Sequence, residues 1–184
     1  MPYVESRRQA ARAFPRLRLS RRWICAKARE QEMLTDEIRQ SVDESVLCWL
    51  ATCGADASPN VSPKEIFLAY GEDEIIIANI ASPKSVKNIR VNPQVCVSFV
   101  HVFKQKGFKL KGKASYLQKG DSGYEPRFER IFSITGDAFP VKGIIAIKVE
   151  KAAKILAPSY LFFPDTTEAA QIEAAHQTYG VFRD

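Results

Sequence analysis

The stretch Asn79-Ile-Ala-Ser-Pro-Lys-Ser-Val-Lys-Asn88 gathers residue types that can hold an anion. It leaves a strand-like run, Glu74–Asn79, and enters a helical pattern over residues 82–91. Ser82 stands at the N-cap position and Pro83 first in the helix. The first backbone N–H groups of a helix lack intrahelical partners, and the dipole there is positive. Ser82 and Ser85 add hydroxyl donors, and Lys84 and Lys87 add charge. Cations near a helix N-terminus cost about 0.3 kcal/mol or more. Two lysines make better sense there if an anion neutralises them, and a phosphate monoester meets that need. The same residues also suit an ordinary capped surface helix with solvated lysines. A second stretch, Ser62-Pro-Lys-Glu65, sets Lys64 just before Ile66-Phe-Leu in a strand-like run. Lys64 is either a solvent-facing strand residue or a cation beside a bound cofactor.

The elements that must position these residues are mostly strands. Thr35 can cap a short helix over residues 36–44. Apolar or alternating runs then predict strands over 45–53, 59–70, 74–79, 95–102, 108–117 and 143–156. Pro63 marks the second as an edge or a bulge. Gly54-Ala-Asp-Ala-Ser and Gly71-Glu-Asp-Glu read as turns, and Asn92-Pro93 ends the helix after the third strand. In residues 108–117, Phe108, Leu110, Gly112, Ala114 and Tyr116 share one face, and Lys109, Lys111 and Lys113 the other. Helical patterns follow over 124–134 and 166–179. On the latter Ala169, Ile172, Ala175 and Tyr179 fall on one side, an arrangement that suits packing. Six strands, mostly hairpin-linked, predict a mainly β fold: a closed antiparallel barrel with peripheral helices, because closure removes exposed edges.

The chain has 184 residues, 46% of them hydrophobic and 26% charged, as expected for one globular domain with tails. No apolar run reaches the roughly 18–20 residues of a membrane span, and no secretory signal is evident. The net charge of +6 lies in the N-terminal extension. Residues 1–30 hold nine Lys/Arg against two acids, a surplus of +7, and the remainder carries −1. That argues against a nucleic-acid-binding face on the folded domain. Residues 1–32 read as a basic arm, a targeting presequence or a start-site artefact; Met33 followed by Leu34-Thr35-Asp36 resembles a natural start. Residues 33–157 form the expected barrel and 158–184 a helical tail. Cys25, Cys48, Cys53 and Cys96 form no C-x-x-C pair, and His101 and His176 stand far apart in the chain. A zinc site therefore lacks its spacing, and reduced cysteines in a cytoplasmic protein are expected.

Three segments in this order resemble the pyridoxamine 5′-phosphate oxidase-related family: Pro59-Asn-Val-Ser-Pro-Lys-Glu65, Ile77 through Pro93, and Gly107-Phe-Lys-Leu-Lys-Gly-Lys-Ala114. The resemblance covers roughly residues 35–155. It implies the FMN-binding split-barrel fold, a six-stranded antiparallel barrel, and a homodimer with FMN at the interface. It places phosphate contacts on Lys84 and Ser85, with Lys87 and Ser82 beside them. Ser62, Pro63, Lys64, Glu65 and Asn79 would line the ring, where a cation such as Lys64 can stabilise the N1/O2 edge of reduced flavin. Asn88, one turn on, would support the phosphate loop or the ring. The partner chain would close the site near Val102–Lys106. The oxidase itself ends with an Arg and a His close together. Here His176 and Arg183 are seven residues apart on a different kind of tail, so pyridoxamine phosphate is not the expected substrate. The expected function is a flavin-dependent oxidoreductase with unassigned catalytic residues. The alternatives are a non-catalytic, stress-related flavin protein and, with His101 as axial ligand, a haem-binding relative.

Overall fold

The computed structural model describes residues 34–181. The basic arm at 1–32, Cys25 and Arg183 lie outside the described residues. The elements run α1 (Asp36–Asp43), β1 (Cys48–Cys53), β2 (Pro59–Lys64), β3 (Phe67–Tyr70), β4 (Glu74–Asn79), α2 (Pro83–Val91), β5 (Gln94–His101) and β6 (Lys106–Leu117). They continue with α3 (Tyr124–Thr135), β7 (Gly143–Leu156), α4 (Ser159–Phe162) and α5 (Glu168–Tyr179). All seven strands among the described residues join one antiparallel sheet in the order β2-β1-β5-β6-β7-β4-β3.

That order shows why the sheet curls into a split barrel. Its two edge strands, β2 and β3, are consecutive in the chain and separated only by Glu65 and Ile66. The expected single strand over 59–70 is therefore two strands, and the count is seven rather than six. The chain bends at Glu65–Ile66, so one run pairs with both ends of the sheet: Lys64 opposes Cys48, and Phe67 opposes Ile77. The corner stays bonded, because the Ala78 N–H donates to the Ile66 carbonyl at 3.0 Å. Pro63 can occupy β2 because an edge strand has one side without ladder partners. The first strand also begins later than the sequence suggests. Ser45, just past α1, is tied back to that helix, its hydroxyl donating to the Ser41 carbonyl at 2.7 Å.

The barrel interior takes alternate residues of each strand: Leu50, Val97, Phe99, Phe108, Leu110, Ile145 and Ile147, with Ile38 and Val42 entering from α1. Thr35 caps α1 by accepting from the Ile38 N–H at 3.4 Å. β4 is apolar without alternation for a physical reason. Ile75 and Ile77 face the interior, whereas Ile76 and Ala78 are covered from outside by α3, with Tyr124 and Ile131. A strand buried on both faces reads as a continuous apolar run. α2 packs on β1, β2 and β6 with Val86 and Ile89 buried.

Ion pairs hold the C-terminal helices on the β5–β6 turn. Glu168 of α5 accepts from Lys106 at 2.8 Å and lies 3.9 Å from Lys104, while Lys104 also ties the turn to the end of α1 by donating to Glu44 at 2.7 Å. The Tyr160 hydroxyl donates to the Lys104 carbonyl at 2.8 Å, and Phe103 meets His176 edge-on at 4.7 Å. Of the apolar side expected on α5, Ala175 is buried and Ile172 half-buried, while Ala169 and Tyr179 are exposed. The Lys104 hydrogen bond holds the Glu44 carboxyl below its usual value, and Lys106 does the same for Glu168. Carboxylates depressed by folding add stability above the unfolded pKa of about 4.3, and lose it as pH falls through the folded value. Cleavage by pepsin within residues 158–181 is therefore expected to accelerate below about pH 4, before the barrel opens. Equal protection of this segment and of β6 down to pH 3 would contradict the clasp.

Candidate functional site

The site is organised by a buried lysine. Lys64, at the end of β2, is only 6% exposed. Its Nζ donates to Ser62 Oγ at 2.6 Å, Ser82 Oγ at 2.8 Å and the Pro63 carbonyl at 3.1 Å. Lys64 and Ser62 come from one sheet edge, and Ser82 stands at the mouth of α2. Burial lowers the pKa of Lys64 below the usual lysine value, because it strips water from the ammonium. Among the described residues the titratable group that faces it is Cys48, whose thiol burial pushes up to about 12, leaving it neutral. No described carboxylate pairs with Lys64, so its charge has no counter-ion among the described residues.

The hydroxyls around Lys64 are set up as donors. An ammonium only donates, so a serine oxygen that accepts from it keeps its own hydrogen for another acceptor. Ser82 therefore does not cap α2: its side chain makes no cap bond, and its oxygen is taken by Lys64. Behind this pair runs a polar seam between α2 and the sheet. Ser62 Oγ lies 3.1 Å from Ser85 Oγ, and the Asn60 amide donates to Ser85 Oγ at 3.4 Å and Thr52 Oγ1 at 3.2 Å. The Asn88 amide donates to Thr52 Oγ1 at 3.0 Å. Ser85 and Asn88 are 1% and 2% exposed, which makes them buried supports of the α2 mouth. Among the described residues no buried side-chain polar atom lacks a partner.

Asn79 ends β4 and ties the mouth to β6. Its Oδ1 accepts from the Ser82 N–H at 3.2 Å, and its Nδ2 donates to the Tyr116 hydroxyl at 3.2 Å. Tyr116 in turn donates to the Lys142 carbonyl at 3.0 Å. The structure thus joins Ser62, Lys64, Asn79, Ser82 and Ser85 through hydrogen bonds, with Asn88 behind them. Pro63 takes part through its carbonyl. Lys84 and Lys87 stand exposed on the first two turns of α2, and Glu65 is exposed at the corner between the edge strands. Sequence reasoning passed over Thr52, Asn60 and Tyr116. Thr52 and Tyr116 occupy inward positions of otherwise apolar strands, and that polarity was the available signal.

One ammonium without a counter-ion, two polarised hydroxyls and a helix mouth form a donor set for a phosphate monoester. Among the described residues no cluster of three metal-binding side chains occurs. His101 Nδ1 accepts from the Lys104 N–H at 3.1 Å, which engages that nitrogen in the turn.

The pyridoxamine 5′-phosphate oxidase family profile matches residues 34–155. No curated protein sequence matches the chain. Among solved structures, HupZ of Group A Streptococcus is 22% identical, with a TM-score of 0.56 over 64% of this chain and 90% of that one. An FMN-binding protein from Syntrophomonas wolfei is 17% identical, with a TM-score of 0.57 over 67% and 87% of the two chains. A FAD-binding protein from Mesorhizobium loti is 17% identical, with a TM-score of 0.52 over 66% and 94%. At these identities the likeness is one of fold.

Proposed function

This chain belongs to the pyridoxamine 5′-phosphate oxidase family, and on that footing we propose that it is a dimeric, FMN-dependent oxidoreductase acting on something other than pyridoxamine phosphate. The observation that carries the reading is the buried Lys64 ammonium, which lacks a counter-ion among the described residues and is held between Ser62 and Ser82 at the mouth of α2. A terminal monoester supplies the missing charge, and FMN has one. Ser62, Ser82 and the first N–H groups of α2 hold the phosphate, with Lys84 at the rim. Asn79 and the Pro63–Glu65 backbone flank the ring. The bound flavin would supply two-electron redox chemistry, while the protein orients it and excludes water.

A second copy fits the outer face of β2, β1 and β5. Trp49 is 48% exposed and Val61 57%, with Val46 and Val102 beside them. A face this apolar supports association with another chain. His176 packs on Phe103 as part of the tail clasp, which speaks against its service as a substrate ligand. The three described cysteines are free, which fits a reducing cytoplasm. Among the described residues no helix is long and apolar enough to cross a membrane.

The visible spectrum of protein purified without added cofactor is the primary test, with cofactor release identifying FMN rather than FAD. A colourless protein that takes up no FMN on titration would end this reading. A Soret band would favour haem instead. Oxidation of a reduced nicotinamide by the loaded protein distinguishes an enzyme from a non-catalytic flavin carrier. Lys84→Ala is expected to weaken FMN binding by about 1 kcal/mol, as for an exposed charge-assisted contact. Riboflavin, without a phosphate, should bind the variant and the parent alike. Equal losses for both ligands would remove Lys84 from the phosphate site.

A further inference from the structure

A hollow of about 470 Å³ lies on the other side of Asn79, between α2 and the end of β6. Pro83, Val86 and Val91 give it an apolar wall, Lys87 and Arg90 supply two cations, and Tyr116 and Gln118 close the β6 side. No carboxylate lines it. The Arg90 guanidinium lies 5.6 Å from the centre of the Tyr116 ring, and its Nη2 donates to Gln118 Oε1 at 3.5 Å. Planar groups, apolar surface and uncompensated positive charge together suit a ligand with a flat ring and an anionic group.

Asn79 links this hollow to the proposed flavin site. One end of its side chain accepts from Ser82 N–H at the α2 mouth, and the other donates to the Tyr116 hydroxyl in the wall of the hollow. A ligand seated on Tyr116 is therefore one side chain away from the phosphate loop. We propose that the hollow is the docking site for the phosphate-bearing end of a nucleotide that meets the flavin as second ligand. Lys87 and Arg90 bind the phosphate, and the face formed by Val86, Val91 and Tyr116 receives the adjoining ring or sugar. This inference rests on the flavin reading, and it names the redox partner's chemical class as a nucleotide phosphate.

The test titrates FMN-loaded protein with nicotinamide mononucleotide, and in parallel with nicotinamide riboside, which has the same ring and sugar without the phosphate. The mononucleotide is expected to bind at least tenfold more tightly. Arg90→Glu should reduce its affinity at least tenfold while retaining the parent's flavin absorbance. Should Arg90→Glu fail to fold, Gln118→Glu serves as the second variant: Gln118 is exposed, and a carboxylate there repels the same phosphate. Parent protein that holds FMN but does not bind the mononucleotide, or that prefers the riboside, overturns the inference and leaves the flavin reading intact. Unchanged affinity in both variants overturns it as well. Failure of the parent to hold FMN is a separate result, and it strikes the flavin reading on which this inference rests.

Discussion

Lys64→Met should bind FMN more weakly by about 1–3 kcal/mol, roughly a five- to 150-fold loss, while unfolding at the same temperature as the parent or higher. The two effects have opposite signs for one reason. Without FMN the ammonium is buried with no counter-ion among the described residues, and its pKa is depressed. Burying an unpaired charge costs free energy that a methionine of similar shape does not. Loss of the bonds from Nζ to Ser62 and Ser82 offsets part of that gain, but both hydroxyls are half-buried and can turn to water. With FMN present the balance reverses, because the phosphate supplies the missing negative charge. A structural lysine behaves differently: its removal lowers the melting temperature and leaves affinity alone. Measuring Tm and FMN affinity on the same samples, with riboflavin as the phosphate-free control, decides between these roles. A fall in Tm with unchanged FMN affinity would end the assignment. Proton linkage gives a second readout. An anion restores the ordinary pKa of Lys64, so binding takes up a proton. Affinity should fall as pH rises through the depressed value of the free protein, and Lys64→Met should abolish that dependence.

Much of this site was legible before the fold, and the parts that were not have definable causes. Pro83 and Asn92-Pro93 bracket α2 because proline sterics act within a few residues. The β3–β4 turn and the alternation of β6 are equally local. Residues 59–70 misled because their pattern describes one strand, whereas the bend at Glu65–Ile66 is imposed by the two sheet edges that the run must join. That bend is a tertiary requirement, and Lys64 lies just before it on the same face of β2 as Asn60 and Ser62. Lysine type alone left both readings of Lys64 open. In the same way Ser85 and Asn88 occupy the expected helix, yet their burial comes from packing against Thr52 and Asn60 on strands far away in the chain. The hollow at Arg90 and Tyr116 required the pairing of α2 with β6, which no local spacing encodes.

Gly112→Ala is expected to destabilise the fold by about 3 kcal/mol or more, lowering Tm by roughly 10 °C or more. The glycine sits where the pairing of β6 with β7 shifts register, between Lys111 and Gly112. A Cβ there would lie 2.0 Å from the Lys148 carbonyl oxygen and 3.1 Å from the Val149 Cα. Both are backbone atoms in a strand that also pairs with β4, so relief means moving the sheet and not a side chain. The alternation of β6 puts Gly112 between Leu110 and Ala114 on the interior face, which is why its small size reads at first as a gap in the core. The structure gives another cause: glycine permits the close approach of two backbones that turns the sheet at mid-strand. Ser115→Ala, an exposed change three residues on, should leave stability within about 0.5 kcal/mol of the parent's. If Gly112→Ala matched that control in thermal unfolding, the close backbone approach at the register shift would be refuted.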